Sequence, residues 1–149
     1  MAAPAYTWSF HTDLWGSRTP VVATFEAGSS LETKVGTLVK MSSGRVIAAG
    51  NSAASLLGIA AEETAAALTA GDPIKVYLLA PGMVIRGTAD ADAISLAGFS
   101  GKTIDLNADG SLDVADTSGG CLSVHRVNDP GTGLVVDCVI TEFDMGPVN

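Results

Sequence analysis

From Val35 onward the chain alternates short apolar runs with strong turn signals. Ile74, Val76 and Leu78 fall on every second position, as do Leu134, Val136, Cys138 and Ile140, which is the period of a half-buried β-strand. TLVKM and RVIAA flank Ser42, Ser43 and Gly44. IKVYLL and MVIRG flank Pro81 and Gly82, where proline suits the first and glycine the second central position of a type II turn. TIDLN and SLDVA flank Asp109 and Gly110, and CLSVHRV and LVVDCVI flank NDPGTG. Each pair reads as a β-hairpin. The spacing predicts about eight or more strands, hence a mainly β fold, a compact β-barrel or sandwich built from hairpins. Between them AAEETAAALTAGD has helical propensity, yet its apolar residues are mostly alanine and bury little, so it is expected as one short helix or as an extended crossover.

Residues 1–30 break this pattern. Tyr6, Trp8, Phe10, Trp15 and Phe25 supply five of the eight aromatic residues without a sustained helical or strand period. The segment reads as an extended N-terminal arm ahead of a β-rich domain at 31–149. Large apolar side chains on an arm either fold back onto their own domain or dock on a neighbour, because clusters of that kind are rarely left in water. Both alternatives stand at this point.

DLNADGSLD, residues 105–113, sets the main chemical question. A calcium loop of the EF-hand type places oxygen ligands at alternate positions with glycine at its sixth. Asp105, Asn107, Asp109, Ser111, Asp113 and Asp116, with Gly110, follow that spacing. GKTI before the loop and VADTSGG after it lack the amphipathic helices that hold such a loop. The competing account is a hairpin with Asp-Gly in a two-residue turn and both central residues at positive φ. Ile104, Leu106, Leu112 and Val114 then share one face and the acidic residues the other. That account explains the spacing without a metal, and calcium is kept as the alternative.

Composition narrows the partners. The 149 residues suit one domain; 47% are hydrophobic and 16% charged, unlike a disordered chain. Sixteen acidic against eight basic residues give a net charge of −8, which phosphate backbones and anionic lipids repel. Neither nucleic acid nor membrane is expected as a partner. No stretch approaches the roughly 20 apolar residues of a membrane helix, and the first fifteen residues do not read as a secretory signal. Cys121 and Cys138 cannot make a disulfide framework, and an intracellular origin would keep them reduced. If their strands pair across 128–133, residue 123 stands opposite Cys138.

Catalytic signals are missing from the sequence. There is no GxSxG, no GxxxxGK[ST] and no CxxC, and His11 and His125 lie far apart. Glu62 and Glu63 are adjacent and so point to different sides. GDPIKVYLLAPGMVIRG has the outline of a biotinyl or lipoyl carrier, but its tip is Pro81 and Gly82 where a carrier needs lysine, and Lys75 lies inside a strand. No enzymatic activity and no cofactor is expected.

The order of these pieces resembles the capsid decoration, or cement, proteins of tailed bacteriophages over about residues 35–141. GTLVKMSSGRVIAAG is similar to their opening hairpin, SLLGIAAEET to the following segment, and AGDPIKVYLLAPGMVIRG to the next strand pair. GKTIDLNADGSLDVAD and GGCLSVHRVNDPGTGLVVDCVI are similar to the closing hairpins, with the Gly-Leu-Val step at Gly133, Leu134 and Val135. The resemblance implies a noncatalytic structural protein of the virion, made in the host cytoplasm. It would bind the outer capsid surface, with the major capsid protein and neighbouring copies as partners, often as a homotrimer. Residues 1–30 match no part of that pattern. On the docking alternative, Tyr6, Trp8, Phe10 and Trp15 would contact capsid or neighbouring copies, through burial rather than chemistry. A calcium-binding adhesion or surface module is the second expectation, and an enzyme on a β-barrel with a deep polar pocket the third.

Overall fold

A computed structural model describes residues 3–50, 55–91, 103–127 and 135–141. They form a mainly β, sandwich-like fold of eleven strands in chain order. These are β1 (Ser9–Asp13), β2 (Val22–Glu26), β3 (Leu38–Ser42), β4 (Arg45–Ala48), β5 (Gly58–Ala60), β6 (Pro73–Leu78), β7 (Met83–Thr88), β8 (Asp105–Leu106), β9 (Leu112–Asp113), β10 (Leu122–Val127) and β11 (Val135–Ile140). One sheet has the order β1-β7-β11-β10, a second β2-β6-β5-β3-β4, and β8 and β9 make a separate hairpin. All strand pairs are antiparallel.

The two sheets share one core and the second sheet owns another. Ile85, Val136, Cys138, Ile140, Leu122 and Trp8 meet Leu38 and Ile59 from the second sheet and Leu79 just after β6, with Leu106 and Leu112 of the small hairpin added. On the opposite face of the second sheet Val39, Ala60, Ile74 and Val76 pack with Leu57, Ala27, Leu31 and Val46. Neighbours Leu38 and Val39, and likewise Ile59 and Ala60, therefore bury into different clusters, as the pleat requires. The second sheet curls until its edges touch at a bridge between Ala27 and Val46, where Gly28 N–H donates to Val46 O at 2.8 Å. That contact does not make a closed barrel.

Three of the four expected hairpins are present: β3 with β4, β8 with β9, and β10 with β11. Ser43 and Gly44, at φ 50° and 78°, turn the first of them between the paired Ser42 and Arg45. The fourth is overturned. The type II turn forms, with Met83 N–H donating to Ala80 O at 3.0 Å and Gly82 at φ 91°, but β6 belongs to the second sheet and β7 to the first. A tight turn here carries the chain between layers, because β6 already pairs with β2 and β5 on its two sides.

The short helix is also overturned. Residues 61–72 contain none: Leu68 forms an antiparallel bridge with Leu31, Thr64 N–H donates to Thr33 O at 3.0 Å, and the Thr33 hydroxyl donates to Glu62 O at 2.8 Å. An alanine-rich helix offers little apolar area to bury, whereas the extended chain places Leu68 against the second core.

Nor is 1–30 an arm laid outside the domain. β1 pairs with β7 and β2 with β6, so the segment supplies an edge strand to each sheet. Its aromatic residues masked this, because His11 is an extra residue in β1 that breaks the period of two. His125 is the corresponding bulge in β10; pairing starts at Val127 with Val136, and past the bulge Val124, not residue 123, stands opposite Cys138. Cys121 and Cys138 are both buried and not joined to each other. Leu134 and the turn at 128–133 lie outside the described residues.

Candidate docking surface

The loop after β1 combines exposure with rigidity. Asp13, at the end of β1, is buried, and its carboxylate is bonded to Trp15 and Arg18 in the loop that follows. Oδ1 accepts the Trp15 N–H at 3.2 Å, an Asx turn, and Oδ2 accepts the Arg18 N–H at 3.2 Å. Arg18 closes the loop as a fork, Nε to Oδ2 at 2.6 Å and Nη2 to Oδ1 at 2.9 Å, while Nη2 also donates to Pro81 O at 2.9 Å. The Arg18 hydrogen bonds hold the Asp13 carboxyl well below the usual carboxylate range, against the opposing effect of burial. Asp13 in turn raises Arg18.

Trp15 stands on this frame. Its ring packs on Gly82, where a side chain would collide with it, and Gly82 O accepts the Leu14 N–H at 2.9 Å. The Arg18 guanidinium lies 5.4 Å from the ring centroid. Trp15 is nevertheless 71% exposed and Leu14 47%. A large aromatic face in water, with its backbone and neighbours already ordered, has lost most of the conformational freedom that binding would otherwise remove.

The four aromatic residues singled out in the sequence are not brought together as one surface. Trp8 is 3% exposed, and its Nε1 donates to Gly110 O at 2.7 Å, so it folds back into its own domain and cannot serve as a docking contact. Phe10 is half-buried against the shared core. Tyr6 is exposed beside the small hairpin, where its N–H donates to Asp109 O at 2.9 Å. Only Trp15 is largely exposed. Leu14, Asp13 and Arg18 escaped the sequence reading, although Asp-Leu-Trp-Gly-Ser carries the signal of an Asx former ahead of glycine.

A second apolar area surrounds a groove of about 320 Å³ lined by Phe10, Val35, Ile59 and Tyr77. Val35, Tyr77, Val22 and Val21 are exposed there, and Val22 stands opposite Tyr77 across β2 and β6. Alternation along β2 and β6 places Val22 and Tyr77 away from the second core. A larger recess of about 500 Å³ lies between residues 29–32 and β4, with Glu32 and Lys40 as its charged groups.

The acidic hairpin is built by local bonds. Asn107 and Gly110 close the turn, Gly110 N–H to Asn107 O at 3.0 Å and Asn107 N–H to Ser111 O at 2.8 Å. Gly110 has φ 90° and Asp109 is not at positive φ, so the turn is centred one residue earlier than Asp-Gly spacing implied, with glycine in the bulge position. Asp109 Oδ1 accepts the Ser111 hydroxyl at 2.6 Å and its N–H at 3.0 Å, which lowers the Asp109 carboxyl. Asp105 accepts Leu106 N–H at 2.8 Å, Asp113 accepts Ala115 N–H at 3.1 Å, and Asp116 accepts Ser118 N–H at 3.4 Å. Asn107 Nδ2 donates to Asp90 at 2.9 Å and to Ser111 at 3.0 Å. Asn107, Asp109 and Ser111 are thus bonded to one another within one turn, Asp105, Asp113 and Asp116 each accept a different backbone N–H, and among the described residues no group of three or more His, Cys, Asp or Glu side chains is placed to hold a metal ion.

The remaining shifted groups are structural. Arg86 Nε donates to the buried Asp137 at 2.8 Å across β7 and β11, with His11 Nε2 3.9 Å from the same carboxylate. Burial pushes the Cys138 thiol far up, away from the thiolate. No protein-family model matches the chain, and no curated protein matches its sequence.

Proposed function

We propose that this protein is a noncatalytic capsid decoration protein, which binds the outer surface of a phage capsid through the Leu14–Trp15 loop and braces the shell. The observation that carries the reading is the exposed Trp15 ring held on the Asp13–Arg18 fork. A preordered aromatic anchor is the kind of side chain around which protein contacts gather their binding energy. The mainly β sandwich supplies a stiff base for it, since β1 before the loop is paired in the first sheet and Gly82 in the turn beneath it is bonded to Leu14 and to Ile140 of β11. An acidic chain of net charge −8 suits a protein that stays outside a shell filled with nucleic acid.

In this reading the partners are the major capsid protein and neighbouring copies of the same chain, in a trimer. Many copies on one lattice gain avidity that a single contact lacks. Trp8 and Phe10 contribute to the base, and Trp15 with Leu14 makes the contact. The test mixes purified protein with undecorated capsids and measures occupancy and heat resistance. Trp15→Ala is expected to lower both while leaving the free protein folded. Occupancy equal to that of the parent chain would remove the assignment.

A further inference from the structure

We infer that the recess between residues 29–32 and β4 is a binding site for a small zwitterion with an apolar body, of the class of short apolar peptides with free termini. The first support is its place in the fold. Lys40 of β3 stands opposite Ile47 of β4, so their side chains share the face that carries Leu38 into the core between the sheets. Both are only half-buried, and at this edge the core opens into a hollow of about 500 Å³. Small-molecule sites span roughly 300 to 1,000 Å³. Pro4 and Ala108, in the turn of the small hairpin, line another side. Gly50 lets that turn approach, since a Cβ on it would stand 3.1 Å from the Ala108 Cα.

The second support is charge. Glu32 and Lys40 both line the recess and both are half-buried. Among the described residues neither side chain makes an ion pair or a hydrogen bond, with the other or with any third group. Opposite charges that share an apolar hollow without meeting each lack a partner. A ligand with an ammonium and a carboxylate supplies both, whereas a singly charged one matches only one. Leu31, Ile47 and Ala49 in the lining suit an aliphatic body. The third support is the fixed backbone beneath the charges. Lys40 is in β3, and Glu32 lies between Leu31, bridged to Leu68, and buried Thr33, whose hydroxyl donates to Glu62 O at 2.8 Å. Groups already held in place lose little freedom on binding.

The recess shares no lining residue with the Trp15 platform that rests on Gly82, so its test is independent of the docking reading. The probe is leucyl-leucine, titrated into the isotope-labelled full chain and followed by NMR. Saturable shifts are expected at the backbone amides of Leu31, Ala48 and Gly50, and Trp15→Ala is expected to bind as the parent does. Glu32→Gln and Lys40→Met are each expected to weaken binding about tenfold, the size of one lost charge-assisted contact. On the parent chain, N-acetyl-leucyl-leucine, which lacks the ammonium, and leucyl-leucine amide, which lacks the carboxylate, are expected to bind more weakly by similar factors. That comparison holds even where a variant fails to fold. Absence of a saturable shift with leucyl-leucine overturns the inference, and so do blocked peptides or folded variants that bind as tightly as the free peptide binds the parent.

Discussion

The indole of Trp8 lies against Gly87, at a point where any side chain on residue 87 would occupy the ring's place. Trp8 immediately precedes β1 and Gly87 is in β7, so this contact ties the start of the chain to the centre of the first sheet. Gly87→Ala is expected to cost about 2 kcal/mol through overpacking. Trp8→Ala, which empties the site and removes the bond to Gly110 O, is expected to cost about 3 to 5 kcal/mol. Urea unfolding measures both; a Gly87→Ala chain as stable as the parent would show that the ring does not need the space.

Asp13 gives the platform a sign in pH. Its carboxyl is lowered from an ordinary value of 3.8, mainly by the Arg18 side chain. A folded value below the unfolded one means that its stabilisation is complete above the unfolded value and disappears as pH falls through the folded one. Melting temperature should therefore decline more steeply from about pH 5 to about pH 2 in the parent chain than in Asp13→Asn. Parallel declines would contradict the assignment.

Two arginine pairs differ in setting and should differ in effect. Arg86 meets a carboxylate, Asp137, whose side chain is 1% exposed, whereas Arg45 approaches an exposed Glu26 at 3.7 Å. Removing one partner leaves a charge stranded only where the other is buried. Arg86→Met should lower the melting temperature clearly, and Arg45→Met should leave it within experimental scatter.

The acidic hairpin should be indifferent to calcium. Asp105, Asp109, Asp113 and Asp116 each accept a nearby backbone N–H, so a metal would have to compete with several local turns at once. Chelator is expected to leave the melting temperature unchanged, and a calcium-dependent rise would restore the metal alternative.

The period of two and the turn residues made most of the β framework legible, because alternation at Ile74, Val76 and Leu78 reports burial directly. Layer assignment was not legible. Pro81 and Gly82 specify a type II turn whether its flanking strands pair or part, and only the competition of β2 and β5 for β6 decides. Strand β1 was hidden by the bulge at His11, and the alanine-rich stretch at 61–72 answered to Thr33 and Leu31 rather than to helix propensity. For the platform, the sequence pointed to Trp15, but could not separate it from Trp8. Their difference lies in Gly87 and Gly82, each a glycine beneath one ring, with one site inside the domain and the other at its surface.

Binding of the parent chain, Trp15→Ala and the exposed control Val135→Ala to undecorated capsids puts the central claim to its most direct trial. We predict full occupancy for the parent and the control and a loss of occupancy for Trp15→Ala, with all three chains melting alike in isolation. Capsids that take up Trp15→Ala as fully as the parent, or that take up none of the three, would contradict it.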